Sequence, residues 1–197
     1  MLVLCVHDIV PSDPASNWTV TEREMEAVIG ACRRQGYAFV GLDDFFAAPE
    51  QSAVLTADDG RSGAISWLLR KAPALEIRAT AFVVPGWIDN PQSMPSGERY
   101  SSIANWDQVA TLREVGHDIG SHGANHVRLP LLTAEQLAPE IAGSKSRIRT
   151  AAGVDTHHFA APYGHISVVA PNICRAEILV DASADLVERG VAGILLV

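Results

Sequence analysis

Short apolar runs recur along this chain, separated by longer stretches with helical spacing, and that alternation constrains the fold more than any other feature. The runs are LVLCV (2–6), AFVGL (38–42), AVLTA (53–57), ATAFVVP (79–85), HDIGS (117–121) and HHFAAP (157–162). Between them, residues 21–37 read as a helix that opens on a Thr21/Glu24 capping box and stops at Gly36. Residues 62–71 and 105–116 read as helices too, and 132–153 as another that starts with a Thr133/Gln136 box, its first turns disturbed by Pro139. The tail reads as two more strands, AEILV and AGILLV, around the helix ADLVERG. Strands that alternate with helices predict an α/β fold with parallel strands.

A chain of 197 residues suits one domain, here 1–197, with a core of useful size. At 48% hydrophobic and 19% charged residues it has the composition of a globular protein. A formal net charge of -8 and the lack of a Lys/Arg cluster argue against a nucleic-acid or anionic-membrane partner. The three cysteines, Cys5, Cys32 and Cys174, are far apart and form no CxxC, which suits buried thiols in a reducing compartment. The N-terminal MLVLCVHDIV has no basic region and its apolar run stops at His7 and Asp8, so the expectation is a cytoplasmic protein, or an exported one if the chain is a fragment. NWT (17–19) matches a glycosylation sequon and reads as a loop. The Pro-, Gly- and Ser-rich stretch 86–103 reads as a long loop that walls a binding site.

Several predicted strands end in polar residues: LVLCV in His7-Asp8, AVLTA in Asp58-Asp59, HDIGS in His122, and HFAAP in Tyr163-Gly164. In parallel α/β folds the active site lies at the C-terminal strand ends, so the four clusters could share one cleft. SHGANH sets His122 and His126 four residues apart, a spacing at which two imidazoles can share a metal. A bare HxxxH is more often two histidines satisfied in core or surface. No Glu follows His122, which argues against a zincin. A third ligand from ADDG would make a two-His, one-carboxylate site, suited to hydrolytic Zn or to non-haem Fe(II). Adjacent carboxylates then have a reason: one binds the ion, and the other takes a proton from water.

Taken together, LTADDG, NWDQVATLREVGHDIGSHGANHVRL and HFAAPYG resemble the polysaccharide deacetylases of carbohydrate esterase family four, the NodB-homology domain, in order, spacing and flanking residues from about 53 to 165. Their motifs are T-F-D-D-G, H-S/T-x-x-x-H and R-x-P-Y-G. The resemblance implies a distorted (β/α) barrel of about seven parallel strands. It implies a divalent ion, usually Zn2+, on Asp59, His122 and His126, with Asp58 as the base and the Tyr163 backbone N–H as an oxyanion donor. Substrates of the family are mostly N- or O-acetylated sugars.

Departures from the pattern sit at three places. Ala57 replaces a Phe, an effect on packing. Ala160 stands where the family often has an Arg that pairs with the base, and Arg61 is weighed as its substitute but reads as an exposed residue at a helix start. The late strand His that acts as general acid is absent from AGILLV, whereas LCVHD at the N-terminus resembles it, so His7 is the candidate acid and His165 the next. His117, His157 and His158 read as structural, Trp106 as core, Trp87 as core with a modest claim on substrate, and Met25, Val28 and Cys32 as a core-facing helix stripe. The leading expectation is a metal-dependent deacetylase of an amino sugar or polysaccharide, followed by an inactive carbohydrate-binding member of the fold and, third, an Fe(II) oxygenase.

Overall fold

The computed structural model describes residues 1–12, 19–45, 47–48, 50–95 and 102–164, and the backbone of two further strands at 178–180 and 194–196. His165, Cys174, the helix ADLVERG and the centre of the 86–103 loop lie outside the described residues.

The strands, in chain order, are β1 (Leu2–Val6), β2 (Asp8–Val10), β3 (Thr19–Thr21), β4 (Ala38–Phe39), β5 (Ser52–Ala57), β6 (Ala79–Val83), β7 (Asp118–Ser121), β8 (His158–Ala160), β9 (Ile178–Val180) and β10 (Ile194–Leu196). The helices are α1 (Glu22–Arg34), α2 (Leu42–Phe45), α3 (Ser62–Arg70), α4 (Pro85–Asp89), α5 (Trp106–Glu114), α6 (Ala134–Ala138) and α7 (Ser144–Ala152). The main sheet runs β10-β1-β5-β6-β7-β8-β9, with β4 added beside β5, and its pairings are parallel. This path of seven strands curls into a half-barrel, the distorted α/β barrel expected from the sequence. Because the strands are parallel, the residues that follow β1, β5, β7 and β8 gather at one rim.

Strand alternation divides the core in two. Leu4 and Val6, Leu55 and Ala57, and Ala79, Ala81 and Val83 face outward and pack under α1, α3, α5 and α7 through Met25, Ile29, Ile65, Leu68, Val109, Leu112 and Ile148. Val3, Val54, Phe82 and Ala160 face inward and meet Leu42 and Phe45 of α2, which closes the lower end of the curl. Covering both faces explains why all six residues of β5 are buried. Gly120 on β7 has to be glycine, since a Cβ there would stand 2.3 Å from the Phe82 ring. Ala57 lies in the outward cluster, in keeping with an effect on packing alone.

Both expected capping boxes form, at Thr21/Glu24 and Thr133/Gln136, and a third, Asn105/Gln108, starts α5. Pro139 does interrupt the predicted 132–153 helix: α6 gives way to a π-helical turn over Pro139–Gly143 before α7 resumes. A proline has no N–H to donate, and the wider turn absorbs that loss. Two features differ from expectation. Residues 8–10 and 19–21 pair as a small separate parallel sheet, and the start of the 86–103 stretch is helical, forming α4 and a 3-10 turn at Pro91–Ser93. No helix among the described residues is long and apolar enough to cross a membrane.

His117 ties α3, β6 and β7 together. Its Nδ1 accepts from the Ala79 N–H at 3.1 Å, so its Nε2–H donates to the Leu68 carbonyl, also at 3.1 Å. Burial lowers the pKa of this ring, while the Leu68 bond and Asp118 oppose the shift. A histidine whose folded pKa is depressed stabilises fully above its unfolded pKa of about 6.5, and loses that contribution as pH falls toward the folded value. We expect His117→Leu to cost about 1–3 kcal/mol at pH 7.5, by leaving two buried backbone groups unpaired. The gap in urea stability between wild type and variant should narrow at pH 5.5. A gap that widens on acidification contradicts this role.

Candidate metal and catalytic site

Asp58 and Asp59 follow β5 directly, and two neighbours on a strand would ordinarily point to opposite faces. Asp58 continues the ladder, its N–H donating to the Val6 carbonyl at 2.8 Å, so its side chain follows Thr56 to the inner face. Asp59 leaves the strand in the left-handed region, at φ 70°, and Gly60 follows at φ 74°. That reversal swings the second carboxylate back over the rim. His126 and Tyr163 also have positive φ, at 55° and 62°, so among the described residues three of the four non-glycine residues in that region belong to this site. Backbone strain of this kind concentrates where function over-determines a conformation.

Asp59 Oδ1 lies 3.7 Å from His122 Nε2 and 3.4 Å from His126 Nε2. The three candidate ligand atoms are within 4.8 Å of one another. With metal–ligand bonds of about 2.1 Å, the edge of a tetrahedral site is about 3.4 Å, which suits these separations. Asp59 Oδ1 is buried and has no hydrogen-bond partner, so a positive charge between it and the imidazoles would satisfy an otherwise orphaned atom. The His122 Nδ1 lies 2.9 Å from the Ala160 carbonyl, which can only accept, so Nδ1 carries the proton and Nε2 offers its lone pair to the site. Burial first, then the His122 charge, lowers the His126 pKa to about 4, which keeps that imidazole neutral and able to bind a metal. These residues fit a divalent ion.

Burial by itself would raise the Asp59 pKa, but His122, His126, His7 and Arg61 together hold it below the usual carboxylate value. Arg61 corrects an expectation. It is buried rather than exposed, and its guanidinium pairs with Asp59 Oδ2 at 3.4 Å, not with Asp58. It also lies over the Trp87 ring, 5.4 Å from the centroid, and donates to Met94 Sδ. Trp87 itself is buried on α4, with its ring centroid 4.8 Å from that of His126. It therefore braces a candidate ligand instead of offering a face to a sugar.

The segment from His122 to His126 is a loop fixed from two sides. On one, Glu140 of the π-helical turn accepts from the Asn125 N–H at 3.0 Å and from the Asn125 side-chain amide, while the Ala124 N–H donates to the Glu140 carbonyl at 3.0 Å. On the other, the Gly86 N–H donates to the Ala124 carbonyl at 2.8 Å. A Cβ at Gly86 would come within 2.6 Å of that oxygen, so only glycine permits the approach. Sequence reasoning weighed Arg61 but read it as exposed, and it missed Gly86, Asn125 and Glu140. Only the Pro139 break hinted that something unusual stood beside the histidine pair.

The remaining predicted residues are at the same rim. Asp58 Oδ2 is 4.0 Å from His122 Nε2. His7, just past β1, acts electrostatically on both Asp59 and His126. Tyr163 is half exposed, its ring 4.7 Å from that of His126 and under the Arg128 guanidinium at 4.3 Å. Ala160 points into the inner apolar cluster and supplies only its carbonyl to the site. His117 and His158 lie away from it, His158 pairing with Asp43 at 2.9 Å.

Solved structures with the same fold include a Streptococcus pyogenes deacetylase, PplD, in complex with acetate (19% identity, TM-score 0.73, covering 88% of this chain and 78% of that one). They include IcaB from Ammonifex degensii (24%, TM-score 0.74, 90% and 80%) and a de-N-acetylase from Aggregatibacter actinomycetemcomitans (20%, TM-score 0.73, 88% and 83%). No curated protein matches the chain by sequence. A family profile described as polysaccharide deacetylase matches residues 47–176, a span that takes in Asp58, Asp59, His122, His126 and Tyr163. With that match over most of its length, on a fold its structural neighbours share, the chain belongs to the polysaccharide deacetylase family.

Proposed function

We propose that this protein is a metal-dependent hydrolase that removes N-acetyl groups, with O-acetyl groups as a second possibility, from an amino sugar or polysaccharide. The observation that carries this reading is the convergence of Asp59, His122 and His126 on one point, with a second carboxylate, Asp58, beside them. A divalent ion at that point, Zn2+ by the chemistry of its ligands, would supply Lewis-acid polarisation of the acetyl carbonyl and acidify water. Asp58 removes the proton from the attacking water. The Tyr163 backbone N–H donates to the oxygen on which negative charge develops. His7, as imidazolium, protonates the departing amine, a role imidazole side chains commonly fill in hydrolases. The family and the neighbouring deacetylases support the substrate class, and acetate release from chitooligosaccharides, peptidoglycan and acetylated xylan would identify it.

Metal binding should depend on the paired histidines. His126→Ala should lose both Zn2+ and acetate release, and full metal occupancy in a His122→Ala/His126→Ala double variant, measured on protein purified without added metal, would exclude the site.

Asp58→Asn should retain the ion, because Asp58 is assigned to the water, yet lose about 10²–10⁴ in turnover. Near wild-type turnover in that variant rules Asp58 out as the base.

His7→Ala tests the acid. An amine leaves poorly unless it is protonated as the C–N bond breaks, whereas an activated acetyl ester needs less help. We expect metal and fold to be kept, with a much larger loss of kcat on acetamides than on activated esters. Equal losses on the two substrates, or none, would remove His7 from the reaction.

A further inference from the structure

A carboxylate that serves as a base has to keep one oxygen aimed at its water, and the surroundings of Asp58 offer few ways to hold it. Arg61 is committed to Asp59 Oδ2. Ala160, on the inner face of β8, packs with Val3, Val54 and Phe82 and has no donor. What does reach Asp58 comes from β1: the Cys5 sulfur stands 3.5 Å from Asp58 Oδ2. The contact follows from register. Cys5 pairs with Thr56 across the parallel β1–β5 ladder, and Asp58 is two residues past Thr56 on the same face. Thr56, the partner of Cys5 across the ladder, stands on the same face below the sulfur.

We propose that Cys5 is a positioning residue for Asp58: its S–H donates to Asp58 Oδ2, the oxygen that lies 4.0 Å from His122 Nε2, and so fixes the rotation of the carboxylate that takes the proton. The assignment rests on the reading of Asp58 as the base. Asp58 Oδ1 is buried and has no hydrogen-bond partner among the described residues, so the contact of Oδ2 with the Cys5 thiol is what holds this carboxylate in one rotation. Cys5 is buried, and burial together with the nearby Asp58 charge raises its pKa well above the ordinary thiol value. At neutral pH it is therefore a thiol with a hydrogen to donate, and an inert one in redox and nucleophilic terms. A thiol is a weak donor, and its effect on rate should be modest but specific to turnover.

The test compares Cys5→Ser, which keeps a donor, with Cys5→Ala and Cys5→Val, which remove it, and includes Asp58→Asn. Cys5→Ala and Cys5→Val should lower kcat by about threefold to tenfold with KM and Zn2+ affinity unchanged, as expected for one ordinary hydrogen bond, while Cys5→Ser should restore most of the rate. Should Cys5→Ala not fold, the bulkier Cys5→Val and Cys5→Ser decide the matter. Wild-type kcat in the two apolar variants, equal losses in all three, or a loss confined to KM would overturn the proposal. A second readout needs no activity. The S–H stretching band of Cys5, isolated as the infrared difference between wild type and Cys5→Ser, should move to higher frequency in Asp58→Asn, and an unmoved band would refute the thiol–carboxylate bond. If wild type releases no acetate, or Asp58→Asn turns over normally, the proposed reaction fails instead, and the band still shows whether the bond exists.

Discussion

Asp59 is the residue on which the site depends, because a carboxylate buried this deeply is unstable without positive charge around it. The chain supplies that charge in layers. Arg61, two residues on, covers one oxygen, and the imidazoles of His122 and His126 face the other. The guanidinium is permanent, whereas His126 is held neutral by burial and by its neighbours. One carboxylate oxygen is thus neutralised by Arg61, and the other faces the two imidazoles, where the proposed ion would sit. If Asp59 stayed in the strand conformation its side chain would turn to the helix-covered face, and none of this could form. The left-handed backbone at 59 and 60 is therefore the cost of putting consecutive acids in one pocket, and Gly60 makes the second half of the reversal cheap.

A reversal at one strand end is useful only if the opposite wall is equally fixed. The His122–His126 loop has little regular structure of its own, and borrows order from α4 through Gly86 and from the π-helical turn through Glu140. Glu140 is itself buried, with its carboxylate taken up by Asn125. Pro139, which looks like a defect in a helix, is what opens the wider turn that presents Glu140 to the loop. His126 is then packed between the rings of Trp87 and Tyr163, which leaves its imidazole little freedom to turn.

The elements legible in the sequence were those with a local cause. Capping boxes at Thr21 and Thr133, the short apolar runs of β5 and β6, the Pro139 break and the motif residues each announce themselves within a few positions. What stayed hidden depends on distant parts of the chain. Arg61 read as exposed because a residue at a helix start usually is; it is buried because Trp87 and Met94, some thirty residues away, close over it. The pairing of residues 8–10 with 19–21 joins strands of three residues each, too short to show a period. The positive φ of Tyr163 falls on a residue type that rarely adopts it, so no propensity pointed there. Even the motif could not say how two adjacent acids reach one pocket, since its letters are compatible with either face.

Strand β1 carries the last step. It lies between β10 and β5, so the first strand in the chain is a spatial neighbour of the last. A side chain at the C-terminal end of either strand enters the rim from nearly the same direction, and moving a functional residue between them changes chain order more than geometry. Alternation along β1 sends Val3, Cys5 and then His7 toward one side. Val3 fills the inner core, Cys5 meets Asp58, and the His7 charge reaches Asp59 and His126. One short strand thus grades from packing, through support of the proposed base, to the proposed acid within five residues. The spacing is dictated by the two-residue repeat, so a one-residue slip of β1 against β5 would reverse all three at once.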